Sequence, residues 1–259
     1  MSLDTATPER LIPVPGTYNL RDVGGYRAGT SVTRWGRLLR SDALHSLDEI
    51  GQTEIARIGI DHVIDLRSDD ERVAAPSRLA ASTVVHHLPV FSGAAPSAVQ
   101  SPGITLAALY DHIIDHRADR LAASIGVISE TRTDETVLVH CTAGKDRTGL
   151  VIALVLSAVG VDRDEVVADY AATEANLAGE WVERMLASLA ERTDIAVDPA
   201  AGQIADTPGV IELVSASPAQ VMSDLLDRVD REHGSAADYL IRNGLPADRI
   251  DRLTSSLVS

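Results

Sequence analysis

The stretch from residue 148 to residue 160, TGLVIALVLSAVG, is almost wholly apolar and is the feature that most constrains how this chain folds. A helix without a polar face has to be buried, and this stretch is too short to cross a bilayer. The residues TVLVH (136–140) come shortly before it and are typical of a strand because they are rich in β-branched side chains. The chain therefore needs a core that surrounds a strand and a helix in succession.

Similar segments alternate along much of the chain. Strand character is found at 61–68 and 84–90, and helical periodicity at 46–60 and 104–130. Ser46, followed by Glu49, matches a capping box at the start of the first helix, and the second helix is expected to break near His116–Asp119. This alternation predicts an α/β fold with a central, short, mostly parallel sheet flanked by helices.

The C-terminal part of the chain differs in character from this alternating core. Apolar stripes at helical spacing occur at 180–192 and 220–232, and a loop-like segment at 194–209 separates them. We expect one domain over residues 1–259, in which residues 176–233 fold over the core as a helical cap or lid.

The composition excludes several classes of protein. A formal net charge of −15 argues against a general nucleic-acid binder and against docking on anionic membranes. Such an acidic protein binds anions only where a local pocket reverses the field. A single cysteine excludes an internal disulfide framework and a cysteine-rich zinc site. We expect no nucleic-acid partner and no stable membrane insertion.

The N-terminal residues MSLDTATPER lack the basic and apolar blocks of a signal peptide. We therefore expect a cytoplasmic protein, with export by a route that leaves no sequence mark as the alternative. Nothing in the sequence specifies an oligomeric state.

The single cysteine, Cys141, lies between the predicted strand and the apolar helix, in HCTAGKDRTG (140–149). A tight turn there directs successive backbone N–H groups inward as a nest for an anion, and the helix adds its positive N-terminal end. Arg147 adds a planar guanidinium that grips two phosphate oxygens. The other expected substrate contacts come from the turn and the first helical residues: Thr142, Ala143, Gly144, Lys145 and Thr148.

The same surroundings favour a reactive Cys141. A thiol close to a helix N-terminus and an arginine ionises more readily than a free thiol, and a thiolate facing a bound phosphate is placed for nucleophilic displacement. We expect the Thr148 hydroxyl to hydrogen-bond the leaving thiolate, and His140 to order the turn rather than transfer protons. The alternative is an ordinary buried cysteine, which the neighbouring Gly144 and Arg147 disfavour.

The stretch matches the signature HCxxGxxR(S/T)G, and on it the chain resembles the cysteine-dependent phosphatases. The GKDR core is similar to that of the bacterial PtpB-like group of tyrosine and lipid phosphatases. Further stretches agree with that group along nearly the whole chain: NLRDVGGY (19–26), GRLLRSDAL (36–44), VIDLRS (63–68) and HGSAADYLIRNGL (233–245). The resemblance implies the fold of these phosphatases and hydrolysis of phosphotyrosine through a phospho-cysteine intermediate, with phosphoserine, phosphothreonine and phosphoinositides as further substrates.

Cleavage of a phosphate ester also needs an acid for the leaving oxygen. The resemblance implies that Asp146, inside the anion loop, takes part in catalysis as acid and then as base for the incoming water. The alternative is that Asp146 only forms a salt bridge with Lys145 or Arg147. Asp65, at the end of the predicted strand VIDL, is a second candidate acid, or else it holds Arg147 or the loop backbone in place.

Lys145 adds a second cation to the loop. An added charge there favours substrates with more than one phosphate, and the resemblance extends to phosphoinositide phosphatases with lysine at similar positions. The ordinary alternative is a solvated surface lysine. Asn19, Arg21 and Asp22 either form a structural hydrogen-bond network or border the active site, and we favour the structural network.

Three other functions use a related loop: sulfur transfer, arsenate reduction and non-catalytic binding of a phosphorylated ligand. Arg147–Thr148 at the phosphatase spacing disfavours sulfur transfer, and the lack of further cysteines disfavours arsenate reduction. We expect an enzyme without cofactor or metal, acting on a phosphorylated protein or a phosphoinositide. His86–His87 are not expected to bind metal, because adjacent residues on a strand point to opposite faces.

Overall fold

The fold is described from a computed structural model of the chain. The structure describes residues 9–91, 105–192, 197–198, 203–204 and 214–259. Its strands are β1 (Arg21–Asp22), β2 (Arg27–Ala28), β3 (Ser31–Val32), β4 (Leu38–Ser41), β5 (His62–Asp65), β6 (Val84–His87), β7 (Val137–His140), β8 (Val197–Asp198) and β9 (Gln203–Ile204).

The helices lie between and after these strands. They are α1 (Glu49–Ile58), α2 (Asp69–Ala74), α3 (Leu106–His116), α4 (Ala118–Glu130), α5 (Asp146–Ala158), α6 (Arg163–Leu177), α7 (Glu180–Arg192), α8 (Ala219–His233), α9 (Ala236–Arg242) and α10 (Asp248–Leu257). The long helical pattern at 104–130 breaks at Arg117, as the sequence predicts.

Five strands form the central sheet in the order β1-β4-β7-β5-β6. The pairings β4–β7, β7–β5 and β5–β6 are parallel, and β1 joins the edge antiparallel. The predicted α/β class with a mostly parallel sheet is therefore confirmed. The register places Ser41 and Asp65 on either side of His140. Because parallel strands end at the same edge of a sheet, the turns after β4, β5 and β7 meet there.

The two faces of the sheet have separate cores. Leu39, Val63 and Leu138 pack into a smaller cluster with Ile55 of α1. Their strand neighbours pack on the opposite face against a larger cluster built from α3 to α6 and α8 to α10. Helix α5 lies in this larger cluster and is buried along most of its length. The apolar stretch that begins at residue 148 is thus the central helix of the fold.

Two expectations about helix ends need correction. Helix α1 begins at Glu49, and its N-cap is Asp48, whose side chain accepts a hydrogen bond of 2.7 Å from the N–H of Gly51. The proposed capping box from Ser46 is wrong, because Ser46 ends a separate 3₁₀ turn, Leu44–Ser46. A complete capping box is found instead on α2, between Ser68 and Glu71.

The expected cap at 176–233 is only partly separate from the core. Helix α8 buries Met222, Leu225, Leu226 and Val229 in the main cluster. It packs against α3, α6 and α9 as part of that core. Most of residues 193–213 lie outside the described residues. In the part of the chain that the structure describes, no helix combines the length and apolarity needed to cross a membrane.

The burial of α5 predicts a large cost for truncating it. We expect Leu154→Ala, at a side chain only 1% exposed, to lower the free energy of unfolding by about 2–5 kcal/mol. The matched control is Val73→Ala on α2, where the side chain is 80% exposed and the change should stay within about 0.5 kcal/mol. Urea denaturation of both variants checks this, and equal stability would contradict the position of α5.

Candidate active site

The turn after β7 forms a tight loop at the carboxyl edge of the sheet. Cys141 is its first residue and is only 2% exposed, and α5 begins at Asp146. Gly144 has φ +65°, and a Cβ added there would lie 2.3 Å from the carbonyl oxygen of Ser41. A side chain at this position would therefore push the loop away from the turn after β4.

The loop carbonyls are held from outside. The Asn19 amide donates to the carbonyls of Ala143 and Gly144, both at 3.2 Å. Arg40 Nη2 donates to the Gly144 carbonyl at 2.7 Å. In a trans peptide the N–H points opposite to the carbonyl, so the N–H groups of Gly144 and Lys145 face the inner side of the loop. This orientation is the one that the predicted nest for an anion requires.

A buried ion cluster fixes Arg40 behind the loop. Asp169 of α6 accepts from Arg40 Nη1, and also from Arg21 Nε at 3.2 Å. Burial alone would raise the pKa of Asp169, but the two guanidinium groups outweigh it and lower the pKa to about 2. Arg21 also donates to Asn19, so the expected structural network at 19–22 is present. Asp22 completes it by accepting from two backbone N–H groups nearby.

Arg147 meets a carboxylate that the sequence reasoning missed. Its Nη1 and Nη2 donate to the two oxygens of Glu71 at 2.7 and 2.8 Å. The Thr142 hydroxyl donates to the same carboxylate. Burial favours the neutral form of Arg147, but the charges of Cys141 and Glu71 outweigh it and raise the pKa of Arg147. Glu71 therefore fixes the guanidinium beside the loop.

Glu71 also belongs to the capping box of α2, where it accepts from the N–H of Ser68 at 2.9 Å. Burial would raise the pKa of Glu71, but the bonds from Arg147 and Thr142 lower it to about 2. The stretch SDDE (68–71) is a sequence signal for this box, since serine is followed three residues later by glutamate. The sequence does not reveal its contact with residue 147.

Asp65 lies beneath the loop, and both of its carboxylate oxygens accept hydrogen bonds from Arg67. Arg67 Nε and Nη2 donate to its two oxygens at 2.9 and 2.7 Å. Burial would raise the pKa of Asp65, but Arg67 and His140 lower it. His140 is buried, which lowers the pKa of its imidazole, and its Nδ1 lies 3.1 Å from the Cys141 carbonyl oxygen. Its Nε2 lies 3.7 Å from Asp65 Oδ2.

Asp146 lies on the other side of the loop. Its Oδ1 accepts from the hydroxyl of Tyr110 at 2.8 Å and lies 3.5 Å from Lys145 Nζ. Lys145 is fully buried, and its ammonium donates to the Ala216 carbonyl at 3.0 Å. The alternative of a solvated surface lysine is therefore wrong. The Thr148 hydroxyl is buried and has no hydrogen-bond partner among the described residues.

This arrangement suits an anionic ligand next to a thiol. The loop combines inward N–H groups, a helix N-terminus and a guanidinium. Among the residues that the structure describes, no cluster of three or more His, Cys, Asp or Glu side chains is arranged to hold a metal ion.

Comparison with known proteins agrees with this geometry. Residues 12–259 match the model of the tyrosine phosphatase family. The chain belongs to that family. The resemblance inferred from the loop is therefore confirmed, and the protein is a phosphatase that acts on phosphorylated substrates.

Two curated relatives and one solved structure illustrate the similarity. The phosphatase is 29% identical over 286 aligned residues to the triple specificity protein phosphatase PtpB of Mycobacterium tuberculosis, covering 95% of this chain and 98% of that one. It is 30% identical over 147 residues to a tyrosine-protein phosphatase of Nostoc commune, covering 55% and 50%. The crystal structure of P. aeruginosa TpbA aligns with a TM-score of 0.37 at 15% identity, covering 72% and 94%.

The Glu71–Arg147 pair predicts a pH-dependent contribution to stability. The pKa of Glu71 is about 2 in the folded phosphatase and ordinarily 4.5, so its charge stabilises the fold above pH 4.5. That contribution is lost as the pH falls from 4.5 towards 2. We expect Glu71→Gln to lower the free energy of unfolding by about 1–3 kcal/mol at pH 7 and by progressively less below pH 4.5.

Thermal unfolding between pH 3 and pH 7 measures this difference. The matched control is Glu54→Gln, which removes an exposed pair with Arg57 and should change stability little at any pH. A loss at Glu71 that stays constant across this range would contradict a stabilising charge at that position.

Proposed function

We propose that this phosphatase hydrolyses phosphomonoesters through a phospho-cysteine intermediate on Cys141. The observation that carries the proposal is the loop between β7 and α5. Its carbonyls are bound from outside by Asn19 and Arg40, so the N–H groups of Gly144 and Lys145 face inward, between Cys141 at the start of the loop and Arg147 just after it. A phosphate there meets donors on all of its non-bridging oxygens next to a nucleophile.

The proposed reaction has two steps. In the first, the Cys141 thiolate forms a bond to phosphorus while the P–O bond to the substrate breaks and the leaving oxygen takes a proton from Asp146. In the second, water attacks phosphorus and gives a proton to Asp146, the S–P bond breaks, and the thiolate is restored. The Thr148 hydroxyl is the proposed donor to that thiolate, which fits the absence of a partner for this hydroxyl among the described residues.

Asp146 is a better candidate than Asp65 for the acid. The carboxylate of Asp65 takes three hydrogen bonds from Arg67, and its lowered pKa keeps it ionised. We assign Asp65 instead the task of fixing the floor of the site together with His140. The side chain of Asp146 is about one-quarter exposed, and both the Tyr110 hydroxyl and Lys145 Nζ approach it at Oδ1.

Arg147 is proposed to bind phosphate while Glu71 keeps its orientation. Each terminal nitrogen of a guanidinium carries two N–H groups. Glu71 takes one from each, while Nη1 also lies 3.5 Å from the Leu66 carbonyl oxygen and Nη2 lies 3.4 Å from the Thr142 hydroxyl. We propose that two phosphate oxygens replace these two longer contacts. The remaining contacts to phosphate are assigned to the N–H groups of the turn, from Thr142 to Lys145.

Phosphotyrosine is the substrate that we propose first, with phosphoserine, phosphothreonine and phosphoinositides as further substrates. The relative named as a triple specificity phosphatase supports this range. Lys145 is the proposed contact for a second phosphate. Because its ammonium donates to the Ala216 carbonyl, binding of a multiply phosphorylated lipid requires that contact to open.

We further propose that the cap includes α7. Trp181 and Leu186 of α7 are buried, and α7 packs on α6. Ser217 also contacts α6, with its N–H donating to Glu174 Oε2 at 3.0 Å. Together with the contact between Lys145 and residue 216, this supports a cover next to the anion loop.

The covalent step predicts the behaviour of Cys141→Ser. We expect this variant to lose turnover on a phosphotyrosine peptide, a phosphoserine peptide and a soluble phosphoinositide, with EDTA present, by at least about 1,000-fold. It should still bind phosphate, because the nest and Arg147 remain. Phosphate release and calorimetry measure the two properties. Substantial turnover by the variant would refute the phospho-cysteine, and binding without turnover in the wild type would point to a phospho-ligand binder.

The acid assignment predicts a dependence on the leaving group. Asp146→Asn should slow phenyl phosphate by about 100-fold or more and an activated aryl phosphate much less, because a good leaving group needs no proton. Asp65→Asn is the comparison variant. We expect it to be less stable than the wild type and to change the rates on both substrates by the same factor. Equal losses on both substrates in Asp146→Asn would make Asp146 structural.

A further inference from the structure

Two buried tyrosines form a chain of hydroxyl groups that ends at Asp146, the proposed acid. Tyr110 of α3 lies with its hydroxyl 2.8 Å from Asp146 Oδ1 and 2.7 Å from the hydroxyl of Tyr170 of α6. Both side chains are fully buried, and their rings meet edge to face with centroids 6.0 Å apart.

The direction of these hydrogen bonds follows from the number of protons. A tyrosine hydroxyl has one proton, and an ionised carboxylate only accepts. Tyr110 therefore donates to Asp146, and Tyr170 donates to Tyr110. Burial and the nearby charge of Asp146 raise the pKa of both tyrosines, so both keep their protons throughout the working pH range.

We propose that Tyr110, supported by Tyr170, is a positioning residue that holds Asp146 by Oδ1 and leaves Oδ2 to carry the transferred proton. Lys145 Nζ lies 3.5 Å from the same Oδ1, so both donors, the Tyr110 hydroxyl and the Lys145 ammonium, favour one orientation of the Asp146 carboxyl group. The inference rests on the proposed role of Asp146 as acid.

Helix α6 explains why the chain of hydroxyls is rigid. Tyr170 directly follows Asp169, and Asp169 pairs with Arg21 and Arg40 behind the loop. One turn of α6 therefore supports both the back of the loop and the tyrosine pair. The Tyr170 ring also lies against Gly149, where an added Cβ would come within 3.0 Å of it. The glycine of the loop signature thus leaves room for the second tyrosine.

Several charged groups surround Asp146. Lys145 and Arg147 flank it in sequence, and the negative charge of Asp146 in turn raises the pKa of Arg147. From α3 and α6 the titratable groups that face it are Tyr110 and Tyr170, and Tyr170 itself is influenced by Arg40 and Glu174. Removing one hydroxyl leaves all of these charges unchanged, so the effect of the hydrogen bond can be measured separately.

Loss of the Tyr110 hydroxyl has two expected effects. The ionised form of Asp146 loses a donor while the acid form loses less, so the acid stays protonated to higher pH. The carboxyl group also rotates more freely, and proton delivery to a poor leaving group becomes less efficient. A purely structural role for Tyr110 would produce neither effect.

The test is the pH profile of kcat/KM for Tyr110→Phe with phenyl phosphate and an activated aryl phosphate. We expect the descending limb to move to higher pH by about 0.5–1 unit, and kcat/KM for phenyl phosphate to fall about 10-fold more than for the activated ester. In an Asp146→Asn background the same substitution should add nothing, because Tyr110 acts through Asp146.

Tyr239→Phe is the matched control, since it removes another buried hydroxyl, bonded to the Ile114 carbonyl at 2.9 Å in the core. It should leave the pH profile and the leaving-group dependence unchanged. If Tyr110→Phe does not fold, Tyr170→Phe carries the test, with shifts in the same direction but smaller.

The outcomes separate this inference from the proposed function. If Asp146→Asn shows the leaving-group effect but the tyrosine variants keep the wild-type profile, the acid assignment stands and the inference is overturned. If Asp146→Asn treats both substrates alike, the acid assignment itself fails. A shift in Tyr239→Phe equal to that in Tyr110→Phe would also overturn the inference.

Discussion

The site depends on the hydrogen bonds that hold the carbonyls of the anion loop in an outward orientation. Asn19 and Arg40 bind these carbonyls, and Asp169 fixes Arg40 from α6. The carbonyls of Thr142, Ala143 and Gly144 all accept hydrogen bonds from residues outside the turn, so its surroundings hold the turn in this shape. Without these contacts nothing would hold the N–H groups of the loop in their inward orientation. The helix N-terminus alone would then be a weaker anion site.

The sheet register and α6 explain how such distant residues meet. Strands β4, β5 and β7 are parallel and in register, so the residues that follow them, Asp42, Leu66 and Cys141, lie at the same edge of the sheet. Because neighbouring strands are only a few ångströms apart, these residues are close together. Helix α6 then approaches from the side and presents two adjacent residues, one to the arginines and one to Tyr110. The chemistry is therefore supported by ordinary α/β topology, with few residues devoted to it alone.

The sequence was informative where the signal was local. The strand, the turn and the apolar helix around Cys141 follow from composition and spacing, and so does the parallel sheet. The partners that act across the chain could not be predicted in this way. Glu71 lies 76 residues from Arg147 and Asp169 lies 129 residues from Arg40, and no pattern in a single sequence specifies these pairings. The cap predicted at Ser46 was wrong for a related reason, since only the folded turn shows that Asp48 caps α1.

The charges around the site explain how so acidic a protein can attract phosphate. Within the described residues the nearby cations are paired with carboxylates: Arg147 with Glu71, Arg67 with Asp65, Lys145 with Asp146, and Arg40 and Arg21 together with Asp169. Because Asp169 is shared, five cations face four carboxylates, which leaves one positive charge in excess. The local attraction for an anion combines this excess with oriented N–H groups and the end of α5, whose dipoles are fixed and need no counterion. A net charge of −15 on the chain repels anions at long range, so binding relies on short-range contacts that a phosphate ester makes fully only inside the loop.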